Sequence, residues 1–336
     1  MPFKFKDKII DKHLLHYVPH GINSEEFKPL PDNHLSIRNR KKELFGDENY
    51  EFVVFYNSRN VQRKKTSNLI LAFRAFCDNL TAEEARKCAL VLHTEKTQDA
   101  GTDLPAVIKS LCPNYKVVFS DAKLPPAEMT ALYNIASVTV LPSSNEGFGL
   151  SIAESIMCGT PVIVNVTGGL QDQIGQLEDD GTPVKFNKNF GTNSIGKFKK
   201  YGKWAKAVYP TVRTIQGSVP TPYIFDDICT WEDTAEAIMY WYLFKTNNKD
   251  EYEKCGIEGR RWAMNEGGIN SKNMCEQFIK AMDFTIENYV KPKNFKLYTV
   301  NDYFDHKQPD ECIGVEIPKI NIDKLKKEID NTISSV

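Results

Sequence analysis

No two of the eight cysteines, at 77, 88, 112, 158, 229, 255, 275 and 312, have C-x-x-C spacing. Zinc needs clustered ligands, so a thiolate site is not expected, and reduced thiols in an intracellular, cytoplasmic protein are. His13, His16 and His20 could share a helix face, but Pro19 interrupts any helix there, so no metal site is expected. Long apolar runs are missing too: none reaches the ~18 residues needed to span a bilayer. The opening MPFKFKDKIIDKHLL has no unbroken apolar segment and no small-residue cleavage site, so no secretory leader is expected. Nor is there an excess of one charge. The 43 basic and 44 acidic residues leave a net formal charge of −1, which argues against a general polyanion-binding surface and allows only a local basic patch. No internal repeat is visible.

What is present is enough apolar sequence, 41% of the 336 residues, for a real core. From residue 52 to about 175, strands and helices alternate. FVVFYNS (52–58), CALVLHT (88–94), YKVVFS (115–120), SVTVLPS (137–143) and PVIVNV (161–166) read as five short buried strands. Between them, TSNLILAFRAFCDNL puts Leu69, Ile70, Phe73 and Phe76 on one helical face, with Thr66 or Ser67 as a plausible cap. LPAVIKSLC, the proline-opened PPAEMTALYNIA and LSIAESIMC read as further helices. Buried strands with intervening helices predict an α/β protein with a doubly wound, Rossmann-like parallel sheet and a ligand outside the carboxyl ends of its strands. Residues 176–230 break this rhythm and read as an excursion. Helices return from 231 to 290, and IDKLKKEIDNTI near the end reads as a short charged helix.

The segment LPSSNEGFGLSIAESIMCGTPVIV (141–164) carries two carboxylates, Glu146 and Glu154, with glycines at 147, 149 and 159. A helix N-terminus offers unpaired backbone N–H groups and a positive dipole end, a ready seat for a diphosphate. Glycines at 147 and 149 let backbone approach phosphate without a Cβ in the way. If the helix starts near Gly149, Glu154 stands roughly 7–8 Å along it at ~1.5 Å per residue. One acid is then at the mouth and one further in, with an anion seat between. A nucleotide sugar has that layout, because its sugar hydroxyls and its ribose diol are donors on either side of a diphosphate.

EGFGLSIAE also resembles the E-x7-E motif of the retaining GT-B glycosyltransferases, most closely family 4. HYVPHGINSEEFKP (16–29), NSRNVQRKKTSNLILAF (57–73), the run from Val117 to Leu150, that from Glu154 to Ile174, and TWEDTAEAI (230–238) resemble further segments of that family, in its order. The resemblance implies the C-terminal, donor-binding half of a GT-B fold. It implies metal-independent transfer of a hexosyl-type sugar from a UDP-, GDP- or ADP-sugar, with no cofactor. Arg59 and Lys64 would grip the diphosphate. Lys65 stands where the family has glycine, which leaves open whether Lys64 or Lys65 reaches the phosphates. Glu146 would hold sugar hydroxyls and Glu154 the ribose diol, while backbone N–H groups of Phe148, Gly149 and Leu150 face sugar and phosphate. Val118 and Ser120 lie where the base usually rests, and Gly168 and Gly169 match a glycine pair beyond the fifth strand.

The expected organisation is a linker-like lead-in at 1–30, a donor-binding domain at 31–290 with its excursion, and a tail at 291–336 that could dock elsewhere. Acceptor binding would then fall to a partner chain or a second copy. GKFKKYGKWAK (196–206) interleaves five lysines with Phe198, Tyr201 and Trp204. Such a pattern suits single-stranded nucleic acid, and transfer to a DNA base is the alternative it raises. The favoured reading has those aromatics packed down on the domain. A non-catalytic nucleotide-sugar-binding or regulatory subunit is the remaining alternative.

Overall fold

A computed structural model describes residues 4–5, 8–9, 17–120, 123–185, 197–218 and 221–289. The chain divides into two units, one of residues 1–15 with 285–336 and one of residues 16–284. In the smaller unit, β1 (Lys4–Phe5) pairs antiparallel with β2 (Lys8–Ile9). The charged segment near residue 330, read above as a helix, lies outside the described residues.

The larger unit opens with α1 (Leu35–Phe45), capped by the His34 side chain and closed at Gly46. β3 (Phe52–Asn57) follows, then α2 (Thr66–Asp78) and α3 (Ala82–Arg86), which starts on a capping box of Thr81 and Glu84. β4 (Cys88–His93), α4 (Leu104–Leu111), β5 (Lys116–Phe119), α5 (Pro126–Ile135), β6 (Val138–Leu141), α6 (Leu150–Met157) and β7 (Val162–Asn165) complete the alternation. All five expected strands and their helices are present. The order across the sheet is β5-β4-β3-β6-β7-β8, every pairing parallel, so strand order reverses between β3 and β6. Aromatic and β-branched residues fill β3, whose Phe52 to Tyr56 are all buried, as a central strand covered on both faces requires.

The sixth strand, β8 (Ala205–Val208), lies in the stretch read from sequence as an excursion. Trp204 just before it is 3% exposed and its ring lies 4.9 Å from that of Trp262. Phe198 is buried as well, so these aromatics belong to the core and offer no stacking platform for bases. Beyond β8, β9 (Val212–Ser218) and β10 (Thr221–Ile228) form a separate antiparallel hairpin. Then α7 (Trp231–Asn247), α8 (Lys249–Met264) and α9 (Ser271–Asn288) follow, the last residues of α9 falling to the smaller unit. Trp241 and Ile238 of α7 are fully buried.

Candidate functional site

Asn57, His93, Phe119 and Leu141 end four neighbouring strands at one edge of the sheet, and the loops that leave them wall a cleft of about 610 Å3. Its place at the strand-order reversal is where an open α/β sheet leaves a crevice. β3 delivers Ser58 and Arg59, and the turn at Gln62–Lys64 delivers Lys64. β4 delivers His93, Thr94 and Glu95, and the end of β5 delivers Ser120. The opposite wall is the loop after β6, with Glu146 and Phe148, and the start of α6, with Gly149, Leu150 and Glu154.

Gly149 caps α6 in the left-handed region (φ +89°), and with Phe148 and Leu150 it lines the cleft at the tip of the helix. The Gln173 amide holds the loop from below, donating to Phe148 O at 2.5 Å. Gly168 and Gly169 do not line the cleft. A Cβ on Gly168 would meet Glu146 O at 2.0 Å and one on Gly169 would meet Gly147 O at 2.3 Å, so the pair lets a second stretch of backbone lie against the acid loop. Gly169 N–H donates to Glu146 O at 3.1 Å.

Glu146 is buried and its Oε1 accepts from the Lys64 ammonium. Arg63 Nη1 lies 3.4 Å from the other oxygen and donates to Asn145 O at 2.6 Å. Burial lowers the pKa of Lys64, and the neighbouring Glu146 carboxylate offsets part of that shift. Glu154 sits deeper. Tyr133 Oη donates to its Oε2 at 2.6 Å and accepts from Asn57 Nδ2 at 2.8 Å, a short chain that fixes the carboxylate. Burial raises the pKa of Glu154, and the Tyr133 hydrogen bond draws it part-way back. Arg59 is exposed at the mouth.

Eight of the twelve residues singled out from sequence line this cleft: Arg59, Lys64, Ser120, Glu146, Phe148, Gly149, Leu150 and Glu154. Val118 is half-buried within β5 and, like the glycine pair, stands behind the wall. Lys65 borders a different hollow, with Asn60, Gln62 and Ser67. The Thr66 or Ser67 cap expected for α2 gives way to Lys65, which occupies the N-cap in the left-handed region without a side-chain hydrogen bond, while Thr66 Oγ1 donates to Tyr56 Oη at 2.8 Å. The sequence reading missed His20, whose ring lies 5.0 Å from that of Phe148, and His93, 3.3 Å from Ser120 Oγ. A polar residue at the carboxyl end of the predicted strand 88–94 was the available signal for His93; His20 arrives from a loop with no periodicity.

Residues 37–190 match the family model described as glycosyl transferases group 1. That stretch, a little under half of the chain, is similar to a group 1 glycosyltransferase domain. A D-inositol 3-phosphate glycosyltransferase from Acidothermus cellulolyticus is 32% identical over 124 residues, covering 35% of this chain and 24% of the relative. One from Salinispora arenicola is 27% identical over 168 residues, covering 48% and 37%. The chain thus spans well under half the length of these curated relatives. Among solved structures, a sucrose-phosphate synthase from Thermosynechococcus elongatus superposes with a TM-score of 0.53 at 19% identity, covering 81% of this chain and 53% of that one. Anabaena HepE, solved in complex with UDP and glucose, gives 0.53 at 16% identity, covering 80% and 56%. These neighbours are GT-B glycosyltransferases, and the six-stranded sheet is one Rossmann-like half of that fold. No helix among the described residues is long and apolar enough to cross a membrane.

Proposed function

We propose that the cleft binds a nucleotide-diphosphate sugar and that the chain is the donor-binding part of a retaining, hexosyl-transferring glycosyltransferase. One observation carries this reading: Lys64, Glu146 and Glu154 share a single hollow with the tip of α6 between them. The diphosphate would lie across that tip, against the N–H groups of Phe148, Gly149 and Leu150 and the positive end of the helix dipole. Arg59 and Lys64 would take up the charge that gathers on the diphosphate as its bond to the sugar breaks. Fixed cations in such a site each contribute ~10² to 10³ in rate. Glu146 would accept from the sugar hydroxyls. Glu154, held still by Tyr133, would accept both hydroxyls of the ribose diol. Ser120 and His93, which line the same cleft, would lie against the base. Retention of configuration is inferred from the E-x7-E spacing shared with the retaining family.

One Rossmann-like sheet lies among the described residues, so donor binding is the activity to test first. UDP-, GDP- and ADP-sugars would be titrated while thermal unfolding is followed. A true ligand at a hundredfold excess over its Kd stabilises by about 2.7 kcal/mol, a rise in Tm of roughly 5 °C or more. Loss of that rise in Glu154→Gln and Lys64→Met would locate the ligand in this cleft. No binding of any donor at millimolar concentration would refute the reading.

A further inference from the structure

Two cations reach Glu146, on opposite oxygens: Lys64 on Oε1 and Arg63 Nη1, 3.4 Å from Oε2. If Lys64 is to serve the diphosphate, it has to let go of a buried carboxylate. A carboxylate left buried without a counter-ion is strongly disfavoured, so it would draw the lysine back. We propose that Arg63 takes over as the counter-ion of Glu146 when Lys64 turns to the donor's phosphates. This rests on the donor reading above and adds a positioning residue to it.

The surroundings of Arg63 suit that part. Its Nη1 is tied to Asn145 O at 2.6 Å, and its own carbonyl accepts from Ser144 N at 2.8 Å and Ser144 Oγ at 3.1 Å. Residue 63 is therefore fastened to the acid loop at both ends, while Lys64 has a flexible stem and a compact ammonium that can swing. The far side of the loop is fixed too, with Asn145 Nδ2 donating to Phe225 O at 2.9 Å and Asp227 N–H to Ser144 O at 2.8 Å. Arg63 is not among the residues that wall the cleft, so it does not compete for phosphate. Its contact with Oε2 needs to shorten by about 0.5 Å to become a full charge-assisted hydrogen bond.

The test is a cycle of four proteins: wild type, Arg63→Gln, Glu146→Gln and the double variant. Each is titrated calorimetrically with UDP, GDP and ADP, and the tightest-binding diphosphate in wild type is used. With Glu146 present, Arg63→Gln is expected to weaken that diphosphate by ~10-fold, the scale of a hydrogen bond to a charged group. In the Glu146→Gln background no charge needs handing over, and Arg63→Gln is expected to change affinity by less than about twofold. Arg63→Lys, which keeps the charge, should recover most of the loss, and Arg63→Met carries the same cycle if Arg63→Gln does not fold. Equal weakening in both backgrounds would mean that Arg63 merely braces the loop or touches phosphate directly, and overturns the proposal. No weakening in either background overturns it as well. A wild-type chain that binds none of the three diphosphates or their sugars refutes the donor reading itself, and this proposal with it.

Discussion

Lys65 is the one non-glycine with positive φ among the described residues, at φ 54° and ψ 36°. A side chain in that region costs about 1–2 kcal/mol, of which glycine would return part as extra freedom in the unfolded chain. Lys65→Gly is therefore expected to raise Tm by about 1–3 °C. Because Lys65 borders a separate hollow, affinity for a nucleoside diphosphate should stay within about twofold, whereas Lys64→Met should lower it at least tenfold. Melting curves and titrations on the two variants check both halves. A spacing rule alone cannot separate two adjacent lysines. The left-handed turn at residue 65 does so, because it sends the two side chains to different faces.

At the scale of elements, α8 packs against the turn that follows α6 closely enough that no side chain fits at Gly256. A Cβ there would stand 1.9 Å from Gly159 O, and backbone cannot step aside as a side chain can. Gly256→Ala should cost more than about 2 kcal/mol, seen as a fall in Tm of roughly 4 °C or more. Gly259→Ala would press on Trp204 Cβ and Cγ at 2.7 Å, and since Cβ moves only with its backbone, rotating the indole does not relieve the clash and a loss of Tm is expected there too.

Much of this architecture could be read from the residues. β3 to β7 declare themselves through Val, Ile, Leu and Phe in runs bounded by polar turns, and Glu146 and Glu154 stand out by their spacing around glycine. β8 did not, for a physical reason. It is a four-residue edge strand, AKAV, with little β-branched content, and its Lys206 keeps a half-buried stem while the ammonium lies 4.4 Å from the Tyr240 ring centroid. Such a lysine reads as solvent-facing in one dimension. Tyr133 and Gln173 were equally hidden, since each reaches the site from a helix or turn whose own pattern shows only burial.

Across the whole molecule, two titrations should mark stability in opposite senses. Burial raises Asp172 to about 6, so the folded state holds a proton that the unfolded chain has lost between about pH 4 and 6, and stability falls as pH rises through that window. Burial lowers Lys245 to about 8, so between about pH 8 and 10.5 the unfolded chain holds the extra proton and stability rises with pH. Lys245→Met should remove the alkaline rise, on the order of 3 kcal/mol across the window. Chemical denaturation at pH 8 and pH 10 would measure it.

The sheet is least well joined where the cleft opens. β3 meets β6 in register at only two positions, Val54 with Val138 and Phe55 with Thr139, whereas β3 and β4 are matched at six. One wall of the cleft follows β3, β4 and β5 and the other follows β6, so a bound molecule acts as a rivet through a weak seam. Amide exchange at Val54, Phe55 and Thr139 should slow on saturation with ligand far more than exchange at Leu90 or Val91. The empty chain should part along that line before it unravels anywhere else in the sheet.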